Sequence, residues 1–432
     1  MSSNTFGDNF RVTTFGESHG PAVGVVVDGI RPGIDIDLED IQRDLDRRRP
    51  GTGRLSSPRK ESDKVHLLSG VFEGKTTGAP IAMVIYNEDA RPGHYEEIRD
   101  LFRPGHADFT WWKKFGIRDW RGGGRTSARE TASRVAAGAI ARKVLRAAGV
   151  EVIGHVTRIG PVRAEAFDAT TIAKNDARCA DPVAAEKMVA AVKAARKNGD
   201  SLGGLVEVVA RGVPAGWGDP VFDKLDAKLG AAMLSIGAVK GVEIGAGFAL
   251  AERRGSESND PIGPGGFTSN RMGGLLGGIS NGEPIVVRIA VKPTSSIRKA
   301  QDTVDVHGKA RSIVVRGRHD PCICPRVVPV AEAMVALVLC DAYLRQQALT
   351  EAAGDADQLR AELAFCDGEL LRAIRRRRAL IEGADLAIRQ AVNTAGDPET
   401  RRALADALDV PAELAEAVFA SLDEADPDPS AE

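Results

Sequence analysis

The chain has 432 residues, enough for one large domain or two to three smaller ones, and its 43% hydrophobic and 27% charged content is that of a globular protein with an ample core. A net charge of −2 and only 5% aromatic residues exclude a global basic field that recruits nucleic acid, so any positive charge that matters must be local. The N-terminal MSSNTFGDNFRV has no apolar signal-peptide core, no apolar run reads as long enough to span a bilayer, and five cysteines without paired CxxC spacing point to reduced cytoplasmic thiols and no metal site.

In chain order, Ala22 to Asp28 (AVGVVVD) reads as a buried strand, with Phe15-Gly16-Glu17-Ser18-His19-Gly20 just before it. A Ser-His pair between glycines puts an imidazole on an accessible turn. Asp37 to Arg48 reads as a helix with acidic residues in its first turn, and it runs out into Arg47-Arg48-Arg49-Pro50-Gly51-Thr52-Gly53-Arg54. Those four arginines are either a solvated basic loop or a cover that grips a polyanion through bidentate contacts. Val65 to Val71 and Pro80 to Tyr86 read as a strand pair. The irregular segment Asn87 to Phe109 holds two parallel phrases, Arg91-Pro92-Gly93-His94 and Arg103-Pro104-Gly105-His106.

Arg121 to Ala148 is the most informative stretch. Three glycines lie between Arg121 and Arg125, and Ser127-Ala128-Arg129-Glu130 fits a capping box ahead of an Ala-rich helix. Glycines at positive φ and a helix N-terminus suit an anion, with Arg121, Arg125, Arg129 and Arg134 clustered beside Thr126, Ser127 and Ser133. Strands are expected over Glu151 to Val162, Gly203 to Gly212, Gly241 to Leu250 and Ile285 to Val291, and helices over Pro182 to Lys197 and Phe222 to Met233. Arg254 to Asn270 reads as a long loop, and Gly273 to Gly282 as a second strip where backbone can touch a flat ligand. A helix over Pro329 to Ala348 closes the second half. The halves rhyme: strands, a loop of glycine and arginine, then a long apolar helix, near residue 148 and again near 348.

GESHG (16–20), RRRPG (47–51), RPGHAD (103–108), RGGGRTSARETASR (121–134), SNG (280–282), KPTSS (292–296) and GRHDPC (317–322) together resemble the chorismate synthase family over roughly residues 4 to 349. The resemblance implies an α+β fold, a β-α-β sandwich with an internal pseudo-repeat, assembled as a homotetramer. It implies anti-1,4-elimination of phosphate from 5-enolpyruvylshikimate 3-phosphate to give chorismate, with reduced FMN required but no net redox change. By the same resemblance His19 protonates the leaving phosphate, His106 stands beside the flavin, Asp320 serves as base, and Ser18 and Ser127 support them. The FMN contacts fall on Arg125, Thr126, Ser127, Gly237, Ala238, Gly277, Lys292, Pro293, Thr294, Ser295, Ser296 and Arg318. Arg48, Arg49, Arg54 and Arg134 are assigned to the anionic substrate; no reductase insertion is visible, so NADPH enters indirectly, or directly if the chain also reduces its own flavin. His94 and His319 are read as structural or supporting.

Beyond a core of residues 1–349 and a linker of 350–358, residues 359–432 resemble the small all-helical chorismate mutases. Arg360, Arg377 and Asp397 align with that family's functional positions, but its lysine falls on Ile388 and its Arg-Glu pair on Thr400-Arg401. A site that clamps a dianion does not survive those losses, so the appendage is expected to be inactive.

Overall fold

Alternation of apolar side chains builds both sheets. In Ile81–Tyr86 the residues Ile81, Met83 and Ile85 are buried and their neighbours are not, and Ile285–Val291 repeats the pattern. The computed structural model of the chain describes residues 3–51, 53, 55, 59, 61–315, 317, 319–353, 402 and 411–425. They divide into one unit of Met1–Pro261 with Ser269–Leu349, and another of Ile262–Thr268 with Thr350–Glu432. In the second unit the helix Ala412–Ala425 and the short hairpin of Ile262–Gly263 and Gly266–Phe267 are described.

The first unit carries two five-stranded antiparallel sheets. One runs Thr5–Phe6, Arg11–Gly16, Ala22–Asp28, Ile81–Tyr86, Val65–Leu67. The other runs Val239–Ile244, Ile285–Val291, Gly204–Arg211, Glu151–Ile159, Val162–Arg163. Numbered along the chain within each sheet, the first order is 1-2-3-5-4 and the second, read from Val162–Arg163, is 2-1-3-5-4; the shared 3-5-4 run is the pseudo-repeat in topological form. The helix Thr131–Ala147 packs on the first sheet and on the helix Leu38–Arg48, while Cys324–Ala353 packs on the second sheet. Small residues let these layers close. A Cβ at Gly138 would lie 2.4 Å from that of Ala333, and one at Gly154 would lie 2.9 Å from Glu332 Cγ. The result is a sheet–helix–sheet sandwich.

Every residue from Val327 to Asp341 is buried, so the second central helix shows no apolar stripe. By length and composition Cys324–Thr350 could cross a membrane, with a mean hydropathy of 1.9, which corrects the expectation that no apolar run is long enough. Its most apolar window is 83% buried within this chain, so its apolar surface already has a partner. Two carboxylates buried on it are satisfied. Glu332 accepts from Gly154 N at 2.8 Å and pairs with Arg47 at 2.7 Å, and Asp341 Oδ1 accepts from the N–H groups of Asp8, Asn9 and Phe10.

Several boundaries differ from the sequence reading. The helix begins at Cys324, ahead of Pro329, which lies inside it. The strand expected over Glu151 to Val162 breaks at Gly160 (φ +53), and Val162–Arg163 folds back on it. The one expected over Gly241 to Leu250 is Val239–Ile244, because Gly245 and Gly247 take positive φ and a 3-10 turn, Gly247–Glu252, follows.

Candidate active site

The glycine loop threads between two histidines. Gly122 has φ +67 and a Cβ there would lie 2.3 Å from His19 Cε1; Gly123 has φ +94 and its Cβ would lie 3.0 Å from His106 Cε1. The bare backbone is therefore needed for the protein's own imidazoles to approach. The capping box predicted at Ser127 closes on one side only. Ser127 Oγ accepts from Arg129 N at 3.4 Å, but Glu130 reaches forward to Arg134 Nε at 3.0 Å, and a 3-10 turn of Ala128–Glu130 precedes the helix.

Beside this loop lies a cavity of about 620 Å³. Ser18, His106, Thr126, Ser127, Asp320 and Arg48 line it, coming from five separate segments. Gly237, Ala238, Lys292, Thr294, Ser295 and Ser296 line it as well. The remaining expected residues are placed elsewhere. His19 sits behind Ser18, whose Oγ is 3.0 Å from His19 Nδ1, and meets the cavity-lining Tyr95 edge-on at 5.2 Å. Arg134 donates to Ser235 Oγ (2.6 Å) and O (3.2 Å) at the rim. Arg125 clamps the first sheet, donating to Thr14 Oγ1, Thr14 O, Gly16 O and Asn4 Oδ1. Arg49 pairs with Asp46 at 3.5 Å, Pro293 packs at Gly203, and Gly277 turns the hairpin Leu275–Ser280. Arg54 and Arg318 lie outside the described residues, as does the side chain of His94. Of the arginines expected to gather at the loop, Arg129 lines the cavity; Arg121 pairs with Asp119 at 2.9 Å.

The charges are organised by acids to which the sequence reading gave no role. Asp63 is wholly buried and bonds Arg48 Nη1 at 3.1 Å and Arg129 Nη1. Glu61 pairs with Arg59 at 2.5 Å, and Asp108 holds Arg103 through two bonds of 2.7 and 3.0 Å. Burial works to raise the Asp108 pKa, but bonds from His106 and Arg103 hold it well below the usual carboxylate range. His106 Nδ1 lies 3.1 Å from Asp108; burial lowers its pKa, Asp108 opposes and Arg103 adds to the lowering. Burial and then Arg59 hold His19 at about 4; burial and then Arg103 hold His319 at about 4. Lys292 is lowered by burial and by Lys240, and its Nζ donates to Gly105 O at 3.1 Å.

His319 also lines the cavity, and its Nε2 and Thr294 Oγ1 are buried with no hydrogen-bond partner among the described residues. Such orphaned polar atoms suit a ligand that carries its own donors and acceptors. With Arg48, Arg59, Arg103, Arg129, Arg326 and Lys292 on the walls against Glu61, Glu130 and Asp320, that ligand is an anion.

The family profile described as chorismate synthase matches residues 10–344. The chorismate synthase of Chloroflexus aggregans is 59% identical over 352 residues, covering 80% of this chain and 97% of that protein. That of Syntrophus aciditrophicus is 54% identical over 353 residues, 81% of this chain and 100% of its own. A crystal structure of chorismate synthase superposes with a TM-score of 0.64 at 33% identity, covering 79% of this chain and 93% of that one.

Proposed function

The chain belongs to the chorismate synthase family, and from that premise we propose that its 620 Å³ cavity converts 5-enolpyruvylshikimate 3-phosphate to chorismate and phosphate. One observation carries the assignment to this cavity: Ser127, His106, Asp320 and the Lys292–Ser296 segment, distant in sequence, meet on walls dominated by arginine.

The elimination breaks a C–O and a C–H bond and forms a C=C bond. The chain must therefore neutralise a departing phosphate and receive a ring proton. Arg48 faces the substrate anions, with Arg49, Arg54 and Arg134 assigned beside it by family resemblance. His19 is neutral at pH 7, with a pKa of about 4, until an adjacent phosphate dianion raises it; it then delivers a proton to the leaving group. Ser18 Oγ, 3.0 Å from His19 Nδ1, orients that ring. Asp320, paired with Arg326, takes the ring proton.

The family implies a flavin, and the orphaned Thr294 Oγ1 and His319 Nε2 fit one. Thr126, Ser127, Gly237, Ala238, Lys292 and Thr294 to Ser296 would hold reduced FMN, with Arg125, Gly277, Pro293 and Arg318 assigned by resemblance alone. Bound there it would supply an electron transiently with no net redox change, NADPH serving as an indirect reductant, or a direct one if the chain is bifunctional. His106, whose Nδ1 lies 3.1 Å from Asp108, lines the same cavity. A homotetramer in the cytoplasm belongs to the same reading.

The test is an anaerobic assay with dithionite-reduced FMN and 5-enolpyruvylshikimate 3-phosphate, following chorismate and phosphate. Release of both, abolished with oxidised FMN and in His106→Ala, is expected; FMN binding without turnover would refute the reading. The mutase-like appendage of residues 359–432, mostly outside the described residues, is proposed to be inactive, and prephenate formation from chorismate by the full chain would refute that.

A further inference from the structure

We propose that Asp63 is a positioning residue that aims two arginines of the cavity wall, Arg48 and Arg129, at the anionic substrate. Asp63 does not itself line the cavity, whereas both arginines do. Its Oδ2 accepts from Arg48 Nη1 at 3.1 Å and its Oδ1 from Arg129 Nη1, so one carboxylate separates two guanidiniums. The backbone at Asp63 has φ +49, a left-handed conformation that aspartate and asparagine accept more readily than other side chains.

The remaining bonds tie each guanidinium down. Arg48 Nε donates to Thr131 Oγ1 at 3.1 Å and Nη2 to Ala128 O; Arg129 Nε donates to Asn87 Oδ1 at 2.8 Å and Nη2 to Tyr86 O at 3.1 Å. Both arginines are almost fully buried, where like charges repel strongly. The neighbouring carboxylate, Glu61, is engaged by Arg59 at 2.5 Å and lies 3.7 Å from Arg129. Arg48 and Arg129 thus converge on one carboxylate at a wall where they also face the cavity. Asp63 keeps the two arginines from spreading apart before a substrate anion arrives. This role for Asp63 rests on the cavity being the substrate site.

The experiment measures the Kd of 5-enolpyruvylshikimate 3-phosphate by calorimetry, with KM and kcat alongside, in the full-length protein, Asp63→Asn and Asp63→Glu. Wild-type turnover tests the cavity's function separately. In Asp63→Asn, Kd and KM are expected to rise on the order of tenfold while kcat changes by less than about threefold; Asp63→Glu, which keeps the charge, falls between. A lower melting temperature with Kd within about twofold of wild type in either folded variant would reduce Asp63 to a structural role and overturn the proposal. If Asp63→Asn does not fold, Asp63→Glu decides: an unchanged Kd there overturns it.

Discussion

Each half of the molecule carries a glycine-rich strip, and the two do different work. Gly122 and Gly123 press against His19 and His106, beside the cavity. Gly273 presses against backbone: a Cβ there would lie 2.4 Å from Gly245 N, with φ +68, and nothing in 273–278 lines the cavity. The compositions match, yet one strip admits two histidines beside the cavity, while the other meets backbone at Gly273 and the Lys224 side chain at Gly278. What makes the first a site is the neighbours it admits.

The sharpest way to break the comparison is Gly122→Ala. The alanine is strained by about 1 kcal/mol at positive φ and must displace the His19 ring. Since misplacing a reacting group by ~1 Å costs about 10²-fold, kcat/KM should fall about that far with only a modest drop in melting temperature. Wild-type kinetics in this variant would remove His19 from the chemistry.

Gly273→Ala should do the reverse. Its Cβ meets rigid backbone, so stability should fall by about 3 kcal/mol in urea unfolding while kcat of the folded fraction stays within about twofold. A selective loss of kcat would give this strip a catalytic role.

A third contrast is in pH. The second strip carries no histidine, whereas His319 on the cavity wall has a pKa of about 4 against an ordinary 6.5. Between those values the unfolded chain holds the extra proton, so stability is full above pH 6.5 and declines as pH falls towards 4. The decline should be roughly 2–3 kcal/mol for this group. His319→Gln should flatten that part of the profile; an unchanged slope would assign it to other groups.

The site was legible as phrases but not as contacts. Arg47, Arg48 and Arg49 are consecutive and look equivalent in RRRPG. Successive helical residues point about 100° apart, and here that sends Arg47 to Glu332, Arg48 to Asp63 and Arg49 to Asp46. Asp63 and Glu61 carry no motif signal, because an acid earns its role only from the arginines that fold around it. His319 was read as supporting, although the residue lines the same cavity and its Nε2 is buried with no hydrogen-bond partner among the described residues.

The sequence by itself determined the apolar run of the buried strand Ala22–Asp28, the helix that opens at Asp37 with acidic residues in its first turn, and the presence of histidine, serine and glycine at the reactive phrases. These are local properties, set within a few residues by propensity and capping. Only the tertiary structure decided that the long apolar helix starts at Cys324, ahead of Pro329, and packs on the second sheet, and which arginines face the cavity. Burial on all sides erases the helical stripe, and the pairing of buried charges depends on residues hundreds of positions apart, as Arg47 with Glu332 shows.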